Sequence, residues 1–180
     1  MSIELKISKL KSNYFIQVLV RYLFIFCINF FLFSKYFSNL MSYLFTQISY
    51  WSLSVFYNID LFKQSIFYKY NEILIVESCI SIPTYIFFTL FFFALNEKRV
   101  FKAWLLSCSI FSVLNLFRMI FLILILIHFG NEIFINIHFI FYQALTSFFT
   151  IIIYMLIYIK YKFKTIPVYS DMINILKMKN

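Results

Sequence analysis

The chain has 180 residues, of which 63% are hydrophobic and only 13% are charged. A water-soluble domain usually carries about 25% charged residues, so the composition excludes an ordinary soluble domain and indicates an integral membrane protein. The formal net charge of +9 does not indicate a nucleic-acid partner, because the basic residues cluster beside apolar runs, as the positive-inside rule describes. The apolar runs are continuous and glycine occurs only once, which favours helices over a β-rich fold. We therefore expect an all-α, polytopic membrane protein with four to five transmembrane helices.

The apolar runs define the predicted elements in chain order. The first run, 14–33, follows three lysines and contains Arg21, whose side chain we expect to extend toward the membrane boundary. The uncharged run 40–56 is at the lower length limit, so a fifth span, a re-entrant helix and an interfacial helix all stay open. Four runs are long enough for a hydrocarbon layer about 30 Å thick and are predicted as spans at 14–33, 73–95, 103–127 and 137–159.

The domain organisation predicted from these runs is simple. Residues 1–165 are expected to form one helical transmembrane domain, and its functional core is expected at 73–159. Residues 166–180 are expected to form a short polar tail on the cytoplasmic side.

The distribution of basic residues predicts the orientation of the chain. The link 96–102 contains three lysine or arginine residues, whereas the link 128–136 contains none. By the positive-inside rule the first link faces the cytoplasm and the second faces the external side. We therefore expect a multi-pass protein of the cell membrane.

Five polar residues stand out within the predicted spans, where ionisable groups cost free energy and are expected to have a partner or a function. Glu77 and Cys79 lie near the external end of the second span. Asn115 and Arg118 lie within the third span, and His138 opens the fourth. Given the predicted orientation, Cys79, Arg118 and His138 lie toward the external leaflet, so we expect these three around one shallow cavity.

This set of residues suits cysteine peptidase chemistry. An adjacent Arg or imidazolium favours the reactive thiolate form of Cys79. His138 can transfer a proton to a leaving amine, and Arg118 can stabilise negative charge on a carbonyl oxygen. Asn115 shares a helix face with Arg118 and is expected to orient its guanidinium. Glu77 is expected either to pair with Arg118 or to orient the imidazole.

The ordered set Glu77-x-Cys79, Asn115-x-x-Arg118 and His138 about twenty residues later resembles the archaeosortase/exosortase family. That resemblance covers the second to fourth spans, and it implies a membrane-embedded peptidase or transpeptidase with a catalytic Cys79, Arg118 and His138. It implies substrates that are exported surface proteins with a C-terminal sorting signal: a short motif, a membrane helix and a basic cluster. Cleavage is implied at the external face, with transfer to water or to an amine acceptor such as a lipid.

The chain departs from the family in one place. Many members have an E-x-C-[ST]-G pattern, whereas this chain has Cys79-Ile80-Ser81, and its only glycine is Gly130. The three cysteines have no CxxC or Cys/His ligand spacing, so neither a disulfide framework nor a metal or other cofactor is predicted.

Other interpretations of the polar residues stay open. Cys27 and Cys108 have no ionisable neighbour in sequence and are expected only to pack. His128 is the alternative to His138 as the functional histidine. The protein as a whole could be a non-enzymatic assembly factor or transporter subunit, whose polar residues join helices. It could also be a lipid-modifying enzyme that uses His and Glu, which would tolerate the loss of Cys79.

Overall fold

The computed structural model describes residues 3–32, 34–62, 65–68, 71–74, 77–95, 97–165, 169, 171 and 173. The chain is mostly helical, as the sequence predicts. In chain order the elements are α1 (Ile3–Leu32), α2 (Lys35–Ser54), β1 (Asp60–Phe62), β2 (Ser65–Tyr68), β3 (Asn71–Leu74), α3 (Glu77–Ile80), α4 (Ile82–Phe93), α5 (Val100–Phe129), α6 (Asn131–Ile140), a π-helical turn (Phe141–Leu145) and α7 (Thr146–Tyr161).

Helices α1 and α2 are joined by a bend of 55°. Ser34 caps α2, since its side chain accepts a hydrogen bond from the backbone N–H of Phe37 at 3.3 Å. The ambiguous run 40–56 lies in α2 as far as Ser54, where the side chains of Ser42, Thr46 and Ser49 are buried. These three residues are spaced so that they share one face of α2, and α2 packs against α3 and α5.

A small three-stranded sheet follows α2, and the sequence analysis did not predict it. Its strands are antiparallel in the order β1-β2-β3, with Ser65 opposite Leu74 in the second pair. Ile66 and Ile73 bury their side chains in a cluster with Ile123 of α5. The sheet therefore packs against the end of α5, and the all-helical prediction does not hold for residues 60–74.

The prediction of a single helix at 73–95 is wrong. Residues up to Leu74 belong to β3, α3 has four residues, and the helix is interrupted at Ser81 before α4 begins. The physical cause is Pro83, which has no N–H to donate and whose ring excludes a preceding helical turn. Cys79 therefore lies in the short helix α3 and not within a continuous helix.

The remaining predicted spans correspond to helical segments of different kinds. The run 103–127 lies within α5, while 137–159 is divided among α6, the π-helical turn and α7. Within the described residues, α5 is the one helix long and apolar enough to cross a membrane, and the bent pair α1–α2 passes as one broken span. Helices α4 and α7 are apolar but shorter. The predicted count of four to five full-length spans is therefore not confirmed.

Helix α4 forms the centre of the molecule. Its aromatic residues Phe88 and Phe92 are completely buried, and α1, α5 and α7 pack against it. Tyr85 and Phe111 meet edge to face with ring centroids 5.4 Å apart, in a favourable aromatic geometry. This packing places the N-terminal end of α4 between α5 and α7, where the polar residues converge.

Arg21 forms an ion pair, a partner that the sequence pattern did not indicate. Its Nη2 atom contacts both carboxylate oxygens of Asp171 at 2.9 Å, and the Asp171 side chain is 4% exposed. Tyr14 and Tyr22 donate further hydrogen bonds to the same carboxylate, at 3.0 and 3.3 Å. Most of the predicted tail 166–180 lies outside the described residues, but Asp171 is anchored to α1.

We expect Arg21→Gln to lower the stability of the protein by about 3 kcal/mol, because it leaves the buried Asp171 carboxylate without its charged partner. The double variant Arg21→Met/Asp171→Leu should recover most of that loss, since both charges are removed together. Thermal unfolding of the detergent-solubilised protein measures both effects. Arg99→Gln, at an exposed position, is the control and should leave the unfolding temperature unchanged. A wild-type unfolding temperature for Arg21→Gln would contradict a structural role for the pair.

Candidate functional site

The candidate site is built around two backbone carbonyl groups at the helix break. In a continuous helix the Cys79 carbonyl would accept from residue 83, but Pro83 has no N–H. Arg118 supplies the missing donor through Nη2 at 2.6 Å, and Asn115 Nδ2 donates to the same oxygen at 3.0 Å. Asn115 Nδ2 also donates to the Ile80 carbonyl at 3.2 Å. Two polar side chains of α5 therefore form hydrogen bonds with the backbone carbonyl groups of Cys79 and Ile80.

Ser81 occupies the turn between α3 and α4 in a left-handed conformation, with φ 59° and ψ 50°. Such a backbone strongly favours glycine. The N–H of Thr84 donates to the Ser81 carbonyl at 2.9 Å, which begins α4. Ser81 is also the position that glycine occupies in the E-x-C-[ST]-G pattern, two residues after the cysteine.

Arg118 joins three elements of the structure. Its side chain is buried, and Nη1 donates to Thr146 Oγ1 at 2.7 Å and to Ser81 Oγ at 3.5 Å. Thr146 in turn donates to the carbonyl of Phe141 at 3.0 Å, within the π-helical turn. The guanidinium thus connects α5 to the helix break on one side and to α7 on the other.

His138 lies in the last turn of α6, directly before the π-helical turn. Its ring is half-buried and stacks on Phe134 with centroids 5.5 Å apart. A chain of hydrogen bonds connects this turn to Arg118: the N–H of Phe141 donates to the His138 carbonyl, and Thr146, which accepts from Arg118, donates to the Phe141 carbonyl. Single π-helical turns inside helices are frequent at functional sites, because they change the direction of the side chains that precede them.

His128 is placed elsewhere. Its Nε2 atom lies 2.8 Å from the hydroxyl oxygen of Tyr57, and its ring is exposed. This arrangement gives His128 a partner beside the small sheet, outside the group of residues around Arg118.

The structure thus brings together most of the residues predicted from sequence. Arg118, Asn115 and the backbone of Cys79 are in direct contact, and hydrogen bonds connect the guanidinium to the turn that follows His138. Asn115 holds the carbonyl groups of Cys79 and Ile80, in place of the predicted contact with the guanidinium. The Cys79 thiol is half-buried, and its role as nucleophile stays a prediction. The side chain of Glu77 lies outside the described part of the structure, so its predicted pairing does too.

A groove of about 560 Å³ lies beside this group of residues, between α4 and α7. Its lining residues combine hydroxyl groups with apolar side chains: Ser81, Pro83, Thr84, Phe87, Thr146, Ser147, Thr150 and Ile151. Ser81 and Thr146 are also the two hydroxyl partners of Arg118, so the groove begins at the guanidinium. The threonines of this lining were not predicted as site residues. The signal that could have indicated two of them is the spacing of Thr146 and Thr150, which are four residues apart in an apolar run and so share a helix face.

Comparisons with known proteins add no relatives. The chain matches no model of a known protein family, no curated protein and no solved structure. Within the described residues, no group of three or more His, Cys, Asp or Glu side chains is arranged to hold a metal ion. The functional argument therefore depends on the geometry of the site and on the motif resemblance.

We expect Ser81→Gly to raise the stability, because glycine adopts the left-handed backbone without the steric penalty of a Cβ atom, which is worth about 1 kcal/mol. The hydrogen bond from Arg118 that this variant loses is long, at 3.5 Å, and offsets only part of that gain. Ser81→Val should instead destabilise the protein, since a β-branched side chain is a poor fit to that conformation. Thermal unfolding in detergent measures both. The matched control is Ser107→Gly, a buried serine inside α5, which should lose about 1 kcal/mol. If both glycine variants lose stability equally, the left-handed turn is not a source of strain.

Proposed function

We propose that this chain is an integral membrane cysteine peptidase or transpeptidase of the archaeosortase/exosortase type. Its substrates are exported surface proteins with a C-terminal sorting signal, which it cleaves at the external face of the membrane. The observation that carries the proposal is the buried Arg118, which donates to the backbone carbonyl of Cys79 and, through Thr146, is connected to the turn that follows His138. A buried arginine, a thiol and an imidazole in one region are the components of a thiol peptidase.

The proposed reaction assigns one role to each of the three residues. The Cys79 thiolate attacks the scissile carbonyl carbon, and Arg118 stabilises the negative charge that builds on the carbonyl oxygen. The C–N bond then breaks as His138 donates a proton to the leaving amine, and a thioester remains on Cys79. Water or an amine attacks the thioester, which releases the product and returns the thiol.

The conformation of Ser81 supports the resemblance on which the proposal draws. The family pattern has glycine two residues after the cysteine, and this chain has serine there in a backbone conformation that favours glycine. The chain still departs from the pattern in having Ile80 in place of Ser or Thr, so the support at Ser81 comes from backbone conformation alone.

A multi-pass arrangement in the cell membrane is part of the proposal. Large apolar side chains face outward on most of the long helices, among them Phe30 of α1, Phe117 of α5 and Leu156 of α7, each more than 60% exposed. Such surfaces are unfavourable in water and suited to lipid. In this arrangement the basic link after α4 faces the cytoplasm, and the turn at Gly130 faces the external side.

A second candidate function is a non-enzymatic membrane protein in which these polar residues join helices. It is favoured by the same hydrogen bonds, because Arg118 and Asn115 satisfy carbonyl groups that the helix break deprives of helical donors. In that case the important atom of Cys79 is its backbone oxygen, and the thiol has no role. The two functions therefore differ in whether they require the thiol of Cys79.

The decisive test is processing of a tripartite reporter, an exported domain fused to a C-terminus from the same genome that has a short motif, a membrane helix and a basic cluster. Cys79→Ala removes the thiol and keeps the carbonyl, so we expect processing to fall at least about 100-fold while the fold survives. Arg118→Lys and His138→Ala should each reduce it by a similar factor. Loss of the C-terminal tag and gel mobility report the processing in cells.

The matched controls for this experiment come from the same chain. Cys108→Ala and His128→Ala change the same residue types outside the site, and both should process the reporter at the wild-type rate. Processing that survives Cys79→Ala would exclude the proposed mechanism. A reporter left intact by the wild-type protein, with several different C-termini, would favour the non-enzymatic alternative.

The proposed orientation predicts a labelling pattern in intact cells. In a variant without its three native cysteines, Glu132→Cys should react with a membrane-impermeant maleimide added outside. Lys98→Cys, in the basic link, should react only after the membrane is permeabilised. Both positions are exposed in the structure, so accessibility to the reagent depends on the side of the membrane. The reverse pattern would place the site on the cytoplasmic side and contradict the proposed substrates.

A further inference from the structure

The hydroxyl groups of the groove between α4 and α7 have a defined hydrogen-bond direction. Thr150 Oγ1 donates its single proton to the Thr146 carbonyl at 2.7 Å. In the 3.2 Å contact between the two side chains, Thr84 must therefore be the donor and Thr150 the acceptor. Among the described residues none donates to Thr84 Oγ1, so its lone pairs are left to accept a hydrogen bond within the groove.

The opposite polarity is found at the inner end of the groove. There Arg118, which is not itself a lining residue, donates to the hydroxyl oxygens of Thr146 and Ser81. Among the described residues none accepts from Ser81 Oγ, so its O–H proton is the donor at this end. A groove with a donor at one end and an acceptor along its wall matches a polypeptide backbone, which offers both C=O and N–H groups. The walls formed by Phe87 and Ile151 are apolar, and suit a segment that emerges from the hydrocarbon region.

An unwound peptide near a membrane needs protein partners for its backbone, because lipid supplies none. We propose that this groove holds the substrate polypeptide next to its scissile bond, with Thr84 Oγ1 accepting a hydrogen bond from a substrate backbone N–H. The proposal rests on the peptidase function above and adds the path that the substrate takes to Arg118. Thr84 is a positioning residue for the substrate and takes no part in bond cleavage.

Photo-cross-linking tests the location of the substrate without requiring catalysis. A photoreactive phenylalanine analogue is placed at Ile151 or at Leu156 in the Cys79→Ala variant, together with the tripartite reporter. Both positions lie on α7 with similar exposure, 58% and 62%, but only Ile151 lines the groove. We expect a cross-link to the reporter from position 151 and at least about tenfold less from position 156.

Each outcome of the cross-linking has a distinct meaning. Equal cross-linking from both positions, or stronger cross-linking from Leu156, overturns the groove as the substrate site. A reporter captured at Ile151 that the wild-type protein does not process keeps the groove as a polypeptide site and overturns the peptidase. Processing by the wild-type protein without capture at Ile151 keeps the peptidase function and overturns the groove as the substrate site.

A kinetic test addresses the hydroxyl of Thr84. Thr84→Val removes one hydrogen bond to the substrate and should raise KM for the purified reporter about fivefold in proteoliposomes, with kcat changed less than about twofold. Thr46→Val is the matched control, because Thr46 is a buried threonine whose hydroxyl donates to the Ser42 carbonyl within α2. It should leave both constants at wild-type values. A KM for Thr84→Val equal to that of the control overturns the assigned role.

Discussion

A carbonyl group that has lost its helical donor is the constraint on which this structure depends. Pro83 cannot donate to the Cys79 oxygen, and the N–H of Thr84 bonds to Ser81, so the Ile80 oxygen loses its donor as well. In a region without water, each such group costs several kcal/mol unless the protein supplies a partner. Helix α5 supplies both partners, through Asn115 and Arg118. The break in one helix and the polar residues of another are therefore parts of the same feature.

The same constraint brings a permanent positive charge beside a thiol-bearing residue. A buried guanidinium needs further acceptors, and Arg118 finds them in Thr146 and Ser81. Because Thr146 follows the π-helical turn, this contact also fixes the region after His138. The candidate catalytic groups thus share a hydrogen-bonded frame that includes α4, α5 and α7.

The sequence was sufficient for features that depend on local pattern, and insufficient for features that depend on long-range contacts. Asn115 and Arg118 could be identified because polar residues in an apolar helix require partners. The apolar run continues through Ser81, so its pattern does not indicate the interruption there. The one signal of the interruption within this run is Pro83. The pairing of Arg21 with Asp171 joins residues 150 positions apart, which no local pattern reveals. The strands at 60–74 are short, and their apolar residues resemble those of the neighbouring helices.

Structural and catalytic roles of the site are separable because they use different atoms. The bonds that stabilise the break end on the backbone oxygen of Cys79, which any residue at this position would provide. Stability alone therefore does not require a thiol there, and a residue of similar size would pack as well. The imidazole of His138 stacks on Phe134. A purely structural site would account for Asn115, Arg118 and Pro83, whereas a peptidase also accounts for Cys79 and His138.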